Sequence, residues 1–267
     1  MSSSHKKYFH RQENVLTNSG QEITVYKLDV VDEEVVLNEW AKHLREHYCL
    51  DSEIDFLRSG FGLSREEYLN QIKFPNPQLG IGAAVMSGDF SEILVHDYIE
   101  FFKEYYTTRT RYSRKINRNS STMGSDVIGY KYINAECPSS EDELLVLEVK
   151  SQSSETRPKN KLQEAVDHSV KDHLRLAESL NGEVQRMVDK KDYGKARIIQ
   201  RFQEKTEKPF TLKFSAVAVH SETSFNEELL KVVNISAHPE SNLELLVIYS
   251  DNLMSFIKEM YVRASRC

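Results

Sequence analysis

Leu144-Leu145-Val146-Leu147-Glu148-Val149-Lys150 is the stretch on which the fold turns. Leu144 to Val149 is apolar almost without interruption, which suits a central strand covered on both faces. Side chains alternate across a strand, so Glu148 and Lys150 share one face. Glu and Lys are seldom fully buried unless paired. An acid and a lysine at the end of so apolar a strand therefore point to a use. Upstream, Gly124-Ser125-Asp126-Val127-Ile128-Gly129 opens a second strand, Val127 to Ile133, and residues 134–142 are turn material. If the two strands are neighbours, Asp126 meets Glu148 and Lys150 at one spot.

Outward from this pair, strands and helices interleave. Ile23 to Leu28, Leu212 to Val219 and Leu243 to Tyr249 read as further strands. Asp32 to Tyr48 reads as a helix with Val36, Trp40, Leu44 and Tyr48 on one face. A short helix follows at 64–72, with Ser64 as N-cap and Glu67 completing a capping box. Residues 74–82, with two prolines and two glycines, read as a loop. Asp89 to Tyr106 is a strong helix. Lys161 to Leu180 is a single amphipathic helix, 183–206 a charged and solvated helical excursion, and 251–264 a closing helix capped by Asp251. This order predicts an α/β (α+β) domain, a central mixed sheet flanked by helices. Residues 1–20 read as a flexible, loosely attached segment, and residues 21–267 as a single domain.

The chain has 267 residues, 39% hydrophobic and 28% charged, with a formal charge of −6. Those proportions exclude disorder over most of its length. Three unevenly spaced cysteines exclude a disulfide scaffold. No apolar run approaches the roughly 20 residues of a membrane span, and the basic N-terminus lacks the apolar core of a secretory signal. The expectation is a soluble, reduced, cytoplasmic protein. An acidic total argues weakly against nucleic acid, but distribution matters more. Between Thr107 and Ser125 stand Arg109, Arg111, Arg114, Lys115 and Arg118, with no acid.

Convergent carboxylates suit a hard divalent cation such as Mg²⁺, with Mn²⁺ as a substitute. Asp126 and Glu148 are the candidate metal ligands, and Lys150 would orient or polarise the attacking water. These are the parts that phosphodiester hydrolysis requires. The basic island runs straight into Asp126. Arg109, Arg111, Arg114 and Lys115 are thus candidate phosphate contacts, and Tyr105, Tyr106 and Tyr112 candidate stacking platforms. The plain alternative is a solvated pair at a strand end and a mobile basic loop. The nine histidines show no metal-ligand spacing. There is no Cys-x-x-Cys pair, phosphate-cradling loop or nucleophile elbow.

The pattern Asp126…Glu148-x-Lys150, set in helix–strand–strand–helix order, resembles the restriction-endonuclease-like nuclease superfamily. Glu92, in Ser87-Gly88-Asp89-Phe90-Ser91-Glu92, matches the position of an acid on the helix before the first catalytic strand. The resemblance implies an accessory catalytic role for it; a helix-surface acid near a helix start is the alternative. Gly88 to Glu92, Gly124 to Tyr130 and Leu147 to Ser151 together resemble the HamA/AbpA family of antiphage-defence proteins, over roughly residues 20–265. That resemblance implies a Mg²⁺-dependent DNA nuclease, the effector of a Hachiman system, restrained by a superfamily-2-type helicase partner, HamB. Related nucleases often place a glutamine near Gln152 or Gln163 for DNA or water contacts, but Asp167 stands where the following helix would carry a tyrosine. Both glutamines also read as polar surface. A nuclease-fold scaffold that regulates a helicase without cutting is the other functional reading.

Overall fold

The computed structural model describes residues 4–267. A seven-stranded mixed sheet runs through it, in the order β1-β3-β7-β6-β5-β4 with β2 paired to β3. The strands are β1 (Phe9–Arg11), β2 (Val15–Leu16), β3 (Glu22–Leu28), β4 (Val127–Lys131), β5 (Glu143–Gln152), β6 (Thr211–Ser221) and β7 (Glu244–Ser250). The four inner strands β3, β7, β6 and β5 are mutually parallel. β4 and β1 close the two sides antiparallel. An α/β sheet flanked by helices is the architecture expected from the interleaved pattern.

β5 is buried on both faces, as its composition requires. Leu145, Leu147 and Val149 pack under α1 (Glu34–Glu46), α4 (Gly82–Phe102) and α9 (Leu253–Arg266). Leu144 and Val146 pack on the other side, under α5 (Lys161–Ser169), α6 (Asp172–Asp189) and α7 (Tyr193–Gln200). α2 (Asp51–Ser59) and α3 (Arg65–Tyr68) extend the first layer, and α8 (Glu227–Lys231) the second. Ser64 caps α3 through the expected capping box with Glu67. Gly129 in β4 admits the end of α4: a Cβ there would lie 2.8 Å from Ile99 Cδ1 and 3.0 Å from Tyr105 Cβ.

Five expectations need correction. Residues 4–20 are not loosely attached: a 3₁₀ turn, Ser4–Tyr8, buries His5 and Tyr8, and Phe9–Arg11 pairs with β3. Such short elements leave no periodicity to read. α4 begins at Gly82, because Ala83 to Met86 continue the helix through a stretch that its glycines mark as loop. The helix expected over 161–180 breaks after Ser169. Leu174 is consequently exposed, while Leu180, Val184 and Met187 turn inward. Those residues, with Ile199 and Phe202, make 183–206 a packed layer over the sheet rather than a solvated excursion. The last helix starts at Leu253, with Asn252 in a left-handed conformation as its cap in place of Asp251.

Candidate active site

The β4–β5 hairpin builds the centre. Val127 is registered with Leu147, so the next step back along β4 sets Asp126 beside Glu148. Asp126 Oδ2 accepts the Val149 N–H at 3.0 Å, which ties the acid to β5. Lys150 Nζ donates to Glu148, as the alternation of β5 requires. α4 passes behind, and Glu92 reaches Asp126 through one shared cation: Arg111 lies 2.8 Å from Glu92 Oε2 and 2.9 Å from Asp126 Oδ1. Asp126, Glu148, Lys150 and Glu92 thus line one cleft of about 650 Å³.

The electrostatics are those of crowded, dry carboxylates. Burial, with Asp126 and Asp89 as negative neighbours, pushes Glu92 up to about 8, against the pull of Arg111. Burial and Asp126 push Glu148 up to about 7, against the pull of Lys150. Desolvation disfavours an ionised carboxyl, and a second carboxylate nearby adds to the effect. The acids are compensated by side chains. Arg111 also donates to the Ser125 carbonyl, and Arg175 from α6 donates to Glu148 and, through Nε, to Asp172 at 2.8 Å. Ser125 Oγ completes this group with a 2.9 Å bond to Asp172. Among the described residues no group of three or more His, Cys, Asp and Glu side chains is disposed to hold a metal ion.

The basic island takes a different place from the expected one. Lys115 is buried and binds Asp89 at 2.5 Å, and Tyr48 donates to the same carboxylate. Arg109 is gripped by Glu100 and lies 2.8 Å from His43 Nδ1. Arg111 is spent on Glu92 and Asp126. Of the four candidate phosphate contacts only Arg114 faces solvent, and it pairs with Asp189 at 3.3 Å. The physical reason is α4, a nearly all-buried helix that carries Asp89, Glu92, Asp97 and Glu100 inside the protein. Buried carboxylates need cations, and the next segment supplies them. Tyr105 and Tyr112 are buried too, so they present no stacking face. Gln152 turns to its own loop: its amide donates to the Thr156 and Arg157 carbonyls and accepts the Lys159 N–H at 2.9 Å.

Sequence reasoning passed over Arg175, Asp172 and His168, all of which touch the Glu148 network. Asp172 and Arg175, three residues apart at a helix start, were the available signal.

The model of the HamA family matches residues 3–264. The chain belongs to the HamA family. Membership covers almost the whole chain and supports a role in antiphage defence, in a Hachiman system with a partner component. No curated protein matches the chain. Among the described residues no helix of this HamA-family chain is long and apolar enough to cross a membrane.

Proposed function

We propose that the chain is a divalent-metal-dependent DNA nuclease, the effector of a Hachiman system, restrained by a helicase partner until activated. The convergence of Asp126, Glu148 and Lys150 at the end of one hairpin, with Glu92 behind, carries the proposal. Asp126 and Glu148 would hold Mg²⁺ or Mn²⁺, because hard dications favour one or two carboxylates. Bound there, the ion would supply charge neutralisation at the phosphate and a more acidic water. The donors fit it chemically. All are carboxylate oxygens, they repel one another, and a cation would reverse the upward push on Glu148. Entry requires Arg111 to yield Asp126, and Lys150 and Arg175 to yield Glu148. Lys150 Nζ, once released, can hold the attacking water or the scissile phosphate, and Glu92, which burial keeps protonated near neutral pH, can donate a proton in the same cleft.

Purified Glu148→Gln and Lys150→Ala variants, with the parent's unfolding midpoint, test this on duplex DNA, single-stranded DNA and RNA with Mg²⁺ and the partner helicase. Cleavage by the parent and loss in both variants is expected. Equal cleavage by all three would sink the assignment. One observation favours a second reading, a catalytically silent scaffold: Glu92, Asp126 and Glu148 each already have a protein cation. Mn²⁺ titration by calorimetry separates the two, since a scaffold has no carboxylate-dependent Mn²⁺ site.

A further inference from the structure

Arg111, Lys150, Arg175 and Arg186 line the cleft, and the first three are already engaged. Arg111 serves Glu92 and Asp126, Lys150 serves Glu148, and Arg175 serves Glu148 and Asp172. Arg186, from α6, has no ion pair among the described residues. Its Nε donates to Thr110 Oγ1 at 3.0 Å, and no other side-chain hydrogen bond holds it among the described residues. Nη1 and Nη2 therefore have no protein partner, yet neither is a buried orphan, so both reach the surface of the cleft.

The surroundings keep this guanidinium open. Arg175, Ser179, Gly182 and Arg186 recur at i, i+4, i+7 and i+11, which sets them on one face of α6, and all four line the cleft. Gly182 leaves the head group uncovered: a Cβ there would lie 3.3 Å from Nη1. Thr110, which holds Nε, belongs to the same wall. Glu183, the acid whose charge Arg186 feels, accepts the Tyr130 hydroxyl at 2.6 Å instead, and burial pushes its carboxyl up toward the neutral form. Arg186 is itself withdrawn from water. Burial lowers its pKa and the Arg111 guanidinium adds to the effect, against the pull of Glu183. A desolvated cation with roughly four of its five N–H donors unpaired is costly until an anion joins it.

A planar guanidinium fork matches two oxygens of one phosphate or carboxylate. Its place in the cleft narrows the ligand further. Arg175 and Arg186 stand three turns apart on α6, about 16 Å at a rise of 1.5 Å per residue. Once Arg175 is released from Glu148, the two arginines offer anion contacts at both ends of one cleft, which suits a chain that carries a charge on every unit rather than a lone small anion. A cleft of about 650 Å³, within the range of small-molecule sites, admits one strand rather than a duplex. We propose that Arg186 is the phosphate-binding residue of the cleft, its Nη1 and Nη2 on the two free oxygens of a backbone phosphate of a single DNA strand, three helical turns from Arg175 and the carboxylates. That the strand is DNA rests on the nuclease reading.

Fluorescence anisotropy of a labelled single-stranded DNA oligonucleotide with the full chain, in EDTA so that nothing is cut, tests this. Arg186→Gln, its thermal midpoint checked against the parent, should bind about tenfold more weakly, and its plot of log affinity against log salt should be shallower by about 0.7. Arg186→Lys keeps the charge and should recover the slope but not the full affinity, because the fork is lost. A scan of single methylphosphonate linkages should find a position whose neutralisation costs the parent about tenfold and costs Arg186→Gln nothing further. Should Arg186→Gln unfold, a reduced loss in Arg186→Lys carries that comparison. No binding by the parent, an unchanged affinity and slope in the variant, or the same loss at every linkage in parent and variant overturns the proposal. So does inorganic phosphate or oligo-aspartate that competes as well as the unlabelled oligonucleotide. Because binding is read without metal, a chain that binds but never cuts removes the nuclease reading and leaves Arg186 in place, while cutting with unchanged binding in the variant does the reverse.

Discussion

Replacing Lys115 with alanine separates two roles for the basic stretch after α4. On the sequence alone Lys115 grips phosphate at the surface; in the structure its side chain is 4% exposed, against Asp89 at 5%. Removing one partner of a buried pair costs about 3–5 kcal/mol. A second route gives a similar figure. Burial already pushes the Asp89 carboxyl up, and without Lys115 it escapes by taking a proton. Near pH 7 that means protonating an ordinary aspartate about three units above its pKa of about 3.9, or about 4 kcal/mol at 1.36 kcal/mol per unit. The folded variant then holds a proton that the unfolded chain releases, so its stability falls as pH rises above about 4. The deficit relative to the parent should therefore shrink from about 4 kcal/mol near pH 7 to about 1.5 kcal/mol near pH 5. Urea unfolding at the two pH values measures it, and Asp89→Asn in the Lys115→Ala background should recover most of it. DNA affinity of the folded fraction should stay within about twofold, since an internal lysine releases no counterion from DNA. A variant as stable as the parent, with weakened DNA binding, would refute the argument and return Lys115 to the surface.

His220 is buried, and burial pushes it down to about 4. The unfolded chain thus binds a proton below pH 6.5 that the folded one refuses, and stability is lost as pH falls. Relative to the parent, His220→Asn should gain about 3 kcal/mol between roughly pH 6.5 and 4. The difference between the two curves is the readout, because Glu92 and Glu148, both raised, titrate in the opposite sense; a constant difference contradicts the buried neutral ring. Gln152→Ala should cost about 1–2 kcal/mol through its lost loop bonds and speed protease cutting within 153–159, with little change in DNA affinity. Loss of DNA binding at unchanged stability would count against that. Arg175→Ala removes a cation that competes for Glu148, and an ion pair this exposed is worth about 1 kcal/mol. Mn²⁺ should therefore bind about fivefold more tightly by calorimetry; weaker binding would show that Arg175 supports the site rather than occupies it.

What the sequence made legible follows from how local each signal is. Glu148 and Lys150 share a face because alternation along β5 fixes it, and Asp126 reaches them because an eleven-residue connection, 132–142, brings β4 back along β5. The position of the basic island was not local. Its charges read as solvated because each was weighed against its neighbours in the chain, which include no acid. The acids it serves lie one helix upstream, at Asp89, Glu92, Asp97 and Glu100. α4 is apolar on nearly every side, and a helix apolar all round is buried. Four acids on such a helix must be neutralised from outside it: Asp97 takes His5 and His43, and Glu100, Glu92 and Asp89 take Arg109, Arg111 and Lys115 from the segment that follows. Arg109 and Arg111 thus turn in opposite directions from one short segment, one to Glu100 and one to Glu92 and Asp126. The stretch that looked like a DNA grip is the internal counterion of the helix before it. On the proposed nuclease reading, phosphate contact falls to groups that the cleft exposes, such as Lys150 and Arg175, after they leave Glu148.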